Sequence, residues 1–324
     1  MRIWQQFLLE AGLLISLAVS PSAAAPSSQT FRGEGMPYDA FDELHATTLS
    51  TGGSTLKVAF APGSLDLGHG RILAWLKTSA EAVATYYGRF PVPTARILIV
   101  PVEGEGIEGG QAFGYRGPAI RLLVGTSTTD EDLTADWKAV HEMVHLALPD
   151  VAEKHLWLAE GLAVYVEPIA RVQAGDLQPE KIWTDMVRDM PKGLPQAGDE
   201  GLDRTHTWGR TYWGGAIFCL LADIEFRKRS HNRVGLQQAM RGVLAAGGTH
   251  DQSWPIERIL RVADTAAGYS VLEDLYAKMR DAPYAPDLPA LWKDLGVTPS
   301  GGTGMFSDEA PSAKIRQAIT TRPP

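Results

Sequence analysis

A chain of 324 residues, 44% hydrophobic and 21% charged, has the balance of an ordinary globular protein and the length for one large domain or two modest ones. Its formal net charge of -8, with no Lys/Arg run beyond Arg227, Lys228 and Arg229, argues against nucleic acid as a partner. The single cysteine, Cys219 in the apolar run AIFCLLADI, excludes an internal disulfide and reads as a small buried hydrophobe rather than a nucleophile.

In chain order, Arg2 is followed by the apolar run FLLEAGLLISLAVS and the small residues PSAAAP. That order is the signal-peptide pattern, with cleavage after Ala23 or Ala24, so residues 1–24 predict export to the periplasm or beyond. The run is shorter than the ~20 residues of a membrane span, which makes a retained anchor the weaker alternative. Residues 26–36 read as a flexible start. STLKVAFAP, ARILIVPV and AIRLLVG read as strands. The first two are separated by ILAWLKTSAEAVATYYGRF, with Leu73, Leu76, Ala80, Val83 and Tyr87 at helical spacing. A glycine-rich stretch, EGEGIEGGQAFGYRGP, precedes the last strand. Residues 37–128 thus form a sheet-bearing part.

From Thr129 the signals are helical. EDLTADWKAVHEMVHLAL reads as one helix capped by Asp130 and stopped by Pro149. HLWLAEGLAVYVEPIARV, WGGAIFCLLADIEFRKR, RVGLQQAMRGVLAA and VLEDLYAKMRD continue a helical part over 129–296. Residues 297–324 are polar with Gly and Pro and predict a disordered tail. No internal repeat is present. The fold class is α+β: a small mixed sheet packed on a larger helical part, with the site helix at the junction.

HEMVH carries the chemistry. His141 and His145 are one turn apart, so both imidazoles leave one helix face and meet one ion, and neutral imidazole suits zinc. Glu142 is rotated about 100° from the first ligand, which lets it take a proton from zinc-bound water without ligating the metal. Trp137, Val140, Val144 and Leu148 form an apolar stripe beside the histidines. Catalytic zinc needs a third protein ligand. Glu160, in the apolar setting of WLAEGLAVYVE, is the candidate, because a buried carboxylate needs a partner and a metal is one.

HEMVH followed by WLAEGLAVYVE resembles the gluzincin zinc metallopeptidases, in particular the aminopeptidase N and glycyl aminopeptidase families. The resemblance covers about residues 130–230. It implies a thermolysin-like zincin catalytic domain, one Zn2+ per chain and Glu160 as third ligand, here after a shorter interval than in aminopeptidase N. RTYWGGAIFCLLADIEFR is similar to the helix whose tyrosine donates to the tetrahedral intermediate, which implies that role for Tyr212; Tyr115 and Tyr165 are alternatives. One motif departs. Where aminopeptidase N has Gly-x-Met-Glu-Asn, this chain reads GGQAFGYRG, with uncharged Gln111 and with Glu103, Glu105 and Glu108 nearby. The implied function is zinc-dependent hydrolysis of peptide bonds in a peptide or protein substrate, with amino- versus endopeptidase activity open. The alternatives are a degenerate zinc-binding, peptide-binding domain and an amidase acting on a non-peptide or cell-wall substrate.

The remaining titratable groups read as follows. His155 is a loop residue, with a role behind the ligands as the alternative. His206 is a candidate for holding the intermediate's oxygen. His45, His69, His231 and His250 are surface residues. Glu153 and Glu167 are candidates for orienting a zinc-binding histidine.

Overall fold

The computed structural model describes residues 28–300 and 303–322; the expected signal segment, residues 1–24, lies outside them. Five strands form one mixed sheet: β1 Ala46–Thr51, β2 Ser54–Phe60, β3 Thr94–Val102, β4 Ile107–Phe113 and β5 Ala119–Gly125. Their order is β1-β2-β3-β5-β4, which leaves β4 at an edge. β1/β2 and β4/β5 are antiparallel, while β2/β3 and β3/β5 are parallel. A parallel step from β2 to β3 needs a crossover, and the 19-residue helix His69–Tyr87 supplies it.

The pleat of β3 sorts its apolar run onto two faces. Ala95, Ile97 and Ile99 join the main core with the helices, whereas Leu98 and Val100 join a second cluster with Phe31, Met36, Tyr38 and Phe41. Burial on both faces explains why ARILIVPV is continuously apolar. It also corrects the expected flexible start at 26–36. Phe31 and Met36 cover the outer sheet face, and Arg121 donates to the carbonyls of Gly33 and Gly35.

The helices are α1 Tyr38–Asp42, α2 His69–Tyr87, α3 Asp130–Ala135, α4 Lys138–His145, α5 Leu156–Ala174 and α6 Pro179–Asp189. A π-helical turn, Arg210–Gly214, leads into α7 Gly215–Arg229, and α8 Leu236–Ala245 through α9 Ile256–Ala267, α10 Leu272–Met279, α11 Leu288–Leu295 and α12 Ala313–Thr320 complete the set.

Two expectations fail here for local reasons. The single helix from Asp130 is two, α3 and α4. Thr129 caps α3 in a capping box with Asp132, and at Asp136 the backbone turns extended (ψ 140°). The Asp136 carboxylate then accepts the N–H groups of Lys138 and Ala139 at 3.1 and 3.0 Å, so it ends one helix and starts the next. The expected disordered tail contains β6 Val297–Ser300, β7 Thr303–Phe306 and α12. Ile315 and Ile319 are buried in the main core, which gives α12 an apolar anchor that the polar composition hides. Among the described residues no helix is long and apolar enough to cross a membrane.

Candidate metal centre

α4 turns His141 and His145 to one face, and α5 packs beside it. Nε2 of His141 lies 3.1 Å from Oε2 of Glu160, and Nε2 of His145 lies 3.6 Å from the same oxygen. The three ligand atoms fall within 4.8 Å of one another. Zinc bonds of ~2.0–2.1 Å in a tetrahedron set ligand atoms ~3.3 Å apart, so the donor set and its spacing fit zinc.

Electrostatics ties the three together. Burial lowers the His141 pKa. Burial also acts to lower that of His145, but the adjacent Glu160 and Glu142 carboxylates outweigh it and leave it raised. Burial acts to raise the Glu160 pKa, but its two imidazole partners outweigh that and hold the carboxyl well below the usual range. An ionised carboxylate flanked by two imidazoles is a ready cation site.

Glu142 points instead toward β4. A Cβ built at Gly110 would stand 2.7 Å from Cγ of Glu142, so only glycine lets the edge strand pass this close. Burial pushes the Glu142 carboxyl up to about 7, partly offset by the charge of His145 and the N–H of Ala112.

Tyr212 sits in the π-helical turn, a feature common at functional sites. Its ring is stacked near His141, with centroids 6.4 Å apart and planes at 15°. Burial, and then the Glu160 and Glu142 carboxylates, push its phenol up to about 12. Two glycines bring it there: a Cβ at Gly161 would meet Gly215 Cα at 2.3 Å, and one at Gly215 would meet the Trp157 carbonyl at 1.9 Å. The α5–α7 crossing is thus backbone against backbone, one residue beyond Glu160.

A cavity of about 540 Å³ opens over these groups, walled by Gly110, Gln111 and Ala112 of β4 and by Tyr212 and His250. His250, expected at the surface, is a residue that sequence reasoning missed. Its ring lies 6.4 Å from that of His145. The loop carrying it pairs with the chain after α4, through His250 N–H to Leu146 O at 3.3 Å and Asp150 N–H to Gln252 O at 2.8 Å. No motif surrounds it, so no sequence signal marks that return.

Other candidates fall elsewhere. The hydroxyl of Tyr165 donates to Asp223 at 3.0 Å and that of Tyr115 donates to the Met36 carbonyl at 3.0 Å; neither lines the cavity. Glu103, Glu105, Glu108, Glu153 and His206 are exposed and outside its lining. Glu167 pairs with Arg171 at 3.2 Å rather than with a histidine. His155 is not a free loop residue. It is buried, and its Nδ1 lies 3.0 Å from Asp203, which also accepts from Trp157 and Tyr276. Trp137 leaves the apolar stripe: it is 45% exposed and meets the His141 ring edge-on at 5.2 Å. Cys219 is a buried free thiol whose pKa burial raises.

No protein-family model matches the chain, and no curated protein matches it significantly. Solved structures do share its fold. An aminopeptidase N family protein from Idiomarina loihiensis aligns with a TM-score of 0.56 at 16% identity, over 79% of this chain and 50% of that one. A two-domain M1 zinc metallopeptidase variant, crystallised with L-arginine bound, aligns with a TM-score of 0.50 at 16% identity, over 76% and 54%. The chain therefore spans about half the length of these structures, and at such identity the likeness is one of fold: a five-stranded sheet with many helices, similar to M1 peptidase domains.

Proposed function

We propose that this chain is a zinc-dependent metallopeptidase of the gluzincin kind, with His141, His145 and Glu160 as metal ligands and Glu142 as general base. The observation that carries the reading is the convergence of two Nε2 atoms on one Glu160 oxygen at 3.1 and 3.6 Å. The fold shared with M1 peptidase domains supports it. A thermolysin-like catalytic unit and export through the N-terminal segment belong to the same proposal.

Zinc, when bound, supplies Lewis-acid polarisation of a carbonyl and lowers the pKa of water beside it. The protein groups do the rest. Glu142, next to the ligands but directed at β4, accepts the proton of the attacking water and returns it to the departing nitrogen. In the metal-free chain burial raises its pKa to about 7, and a divalent cation held by the three ligands would favour the ionised form that accepts a proton. The Tyr212 phenol, raised to about 12, stays protonated at neutral pH and donates to the carbonyl oxygen as charge builds there. β4 is an edge strand with little side chain at Gly109 and Gly110, so its free side accepts an extended peptide by strand addition.

The test is zinc analysis with turnover of a peptide library. One equivalent of zinc per chain is expected. Glu142→Gln should retain the metal and lose ~10²–10⁴-fold in kcat; full activity in that variant would refute the mechanism.

A further inference from the structure

Four side chains meet away from the metal ligands, at the base of the helix that carries Glu160. Asp203 lies in the loop that precedes the π-helical turn, and its side chain is only 9% exposed. Its Oδ1 faces Nδ1 of His155 at 3.0 Å and accepts from the Trp157 indole at 2.8 Å. Its Oδ2 accepts from the Tyr276 hydroxyl at 2.6 Å. Toward an ionised carboxylate, indole and phenol can only donate, and His155 completes the set with its proton on Nδ1. The loop itself is tied to the end of α10. Leu202 and Asp203 donate their N–H groups to the carbonyls of Met279 and Arg280 at 2.8 and 2.9 Å. A Cβ at Gly201, whose φ is +99°, would meet the Ala282 nitrogen and the Arg280 carbonyl at 2.5 Å, so the loop lies backbone against backbone there.

These donors stand where they can act on the site. His155 and Trp157 begin α5, whose start has no side-chain cap of its own. Asp203 holds it instead. Glu160 follows Trp157 by three residues, less than one turn, so any shift of Trp157 along or about the helix axis moves the carboxylate with it. Trp157 also meets the chain that carries Tyr212. Its carbonyl would stand 1.9 Å from a Cβ at Gly215, three residues after Tyr212, and its ring packs edge-on against Phe218 of α7 at 5.0 Å. Trp157 is thus the joint between the helix of Glu160 and the helix led by Tyr212. A buried polar network with every member satisfied admits one geometry, and this one fixes that joint.

We infer that Asp203 is a positioning residue of the metal centre: through His155 and the Trp157 indole it sets where α5 starts, and so where the Glu160 carboxylate stands relative to His141 and His145. The inference rests on the reading of Glu160 as a ligand. The experiment compares the full chain with Asp203→Asn, Trp157→Phe and Tyr276→Phe, and with Leu260→Ala, which loosens the core at α9 instead. Zinc affinity is measured by competition with a chelating dye, coordination geometry from the visible bands of bound Co2+, and stability by denaturant unfolding. Asp203→Asn and Trp157→Phe should weaken zinc binding ~10–100-fold and alter the Co2+ bands. Tyr276→Phe, which leaves both Oδ1 contacts in place, should act in the same direction and less. Leu260→Ala should lose stability and keep both metal readouts. Wild-type zinc affinity and Co2+ bands in the folded Asp203→Asn and Trp157→Phe variants, whatever their stability, overturn the inference. If those two do not fold, Tyr276→Phe, which removes only a hydroxyl, decides: weakened zinc binding supports the role and wild-type binding overturns it. If the wild-type chain binds neither ion, the ligand reading falls and amide exchange of the metal-free chain decides the positioning role. Faster exchange in Tyr276→Phe confined to residues 155–161 and 212–218 supports it; exchange unchanged there, or raised throughout the chain, overturns it.

Discussion

Glu160 and Glu167 leave α5 two turns apart, with side chains only 15% and 10% exposed, yet their carboxyl groups are held in opposite states. Glu160 stays ionised against burial because two imidazoles face it. Glu167 is pushed up to about 7 by burial, which the Arg171 guanidinium only partly offsets. Burial alone therefore does not mark a metal ligand. What differs is the partner: Glu167 has a permanent cation supplied by the chain, whereas Glu160 faces imidazoles, which are neutral when deprotonated and can then offer lone pairs to an ion. The two carboxylates also serve different ends of the same construction. Arg171, held by Glu167, donates to the Thr134 and Asp136 carbonyls at 2.9 and 2.7 Å and so fixes the break from which α4 starts.

The sharpest way to break this comparison is to exchange the roles. Glu160→Gln should lose zinc and take hydrolysis to background, while Glu167→Gln should keep the metal; zinc loss in the second variant, seen by competition with a chelating dye, would overturn the distinction. Arg171→Met strands a buried carboxyl and frees two carbonyls, and a loss of ~3–5 kcal/mol is expected in denaturant unfolding. Tyr212→Phe should bind zinc normally but lose ~10²–10³-fold in kcat, which separates the donor beside Glu160 from the ligand itself.

The smallest effect is in pH dependence. Glu167 binds its proton more tightly folded, at about 7 against an ordinary 4.5, so it costs stability progressively as pH rises through that window and no further above it. Glu167→Gln should remove this slope, so that the variant gains up to ~3 kcal/mol on wild type between pH 4.5 and 8. Identical slopes for the two proteins would contradict it. Glu160 acts in the other sense in the metal-free chain: its lowered pKa stabilises above pH 4.5, and that stabilisation is lost on acidification.

How much of this was legible in sequence depended on range. β3 stands out because two-sided burial writes a nearly continuous apolar run, and β2 and β5 stay readable although Lys57 and Arg121 interrupt theirs. The helix spacing of His141 and His145, and the apolar setting of Glu160, are likewise local patterns. The break at Asp136 is local too, but it hides because an Asp that caps looks like any polar residue on a helix surface. His250 had no local signature, since its place depends on Leu146, far away in sequence, and the burial of α12 depends on α5 and α7 as well as on the nearby α11.

The sequence by itself determined which faces its helices present, and so which two histidines leave one face together and which glutamate stands beside them. Tertiary structure alone decided that Glu160 meets those histidines, that Tyr212 rather than Tyr115 or Tyr165 lies over them, and that Glu142 faces an edge strand. The physical reason is that helical periodicity orients a side chain about its own axis, whereas the distance between axes is set by packing, here by Gly161 against Gly215 and Gly110 against Glu142.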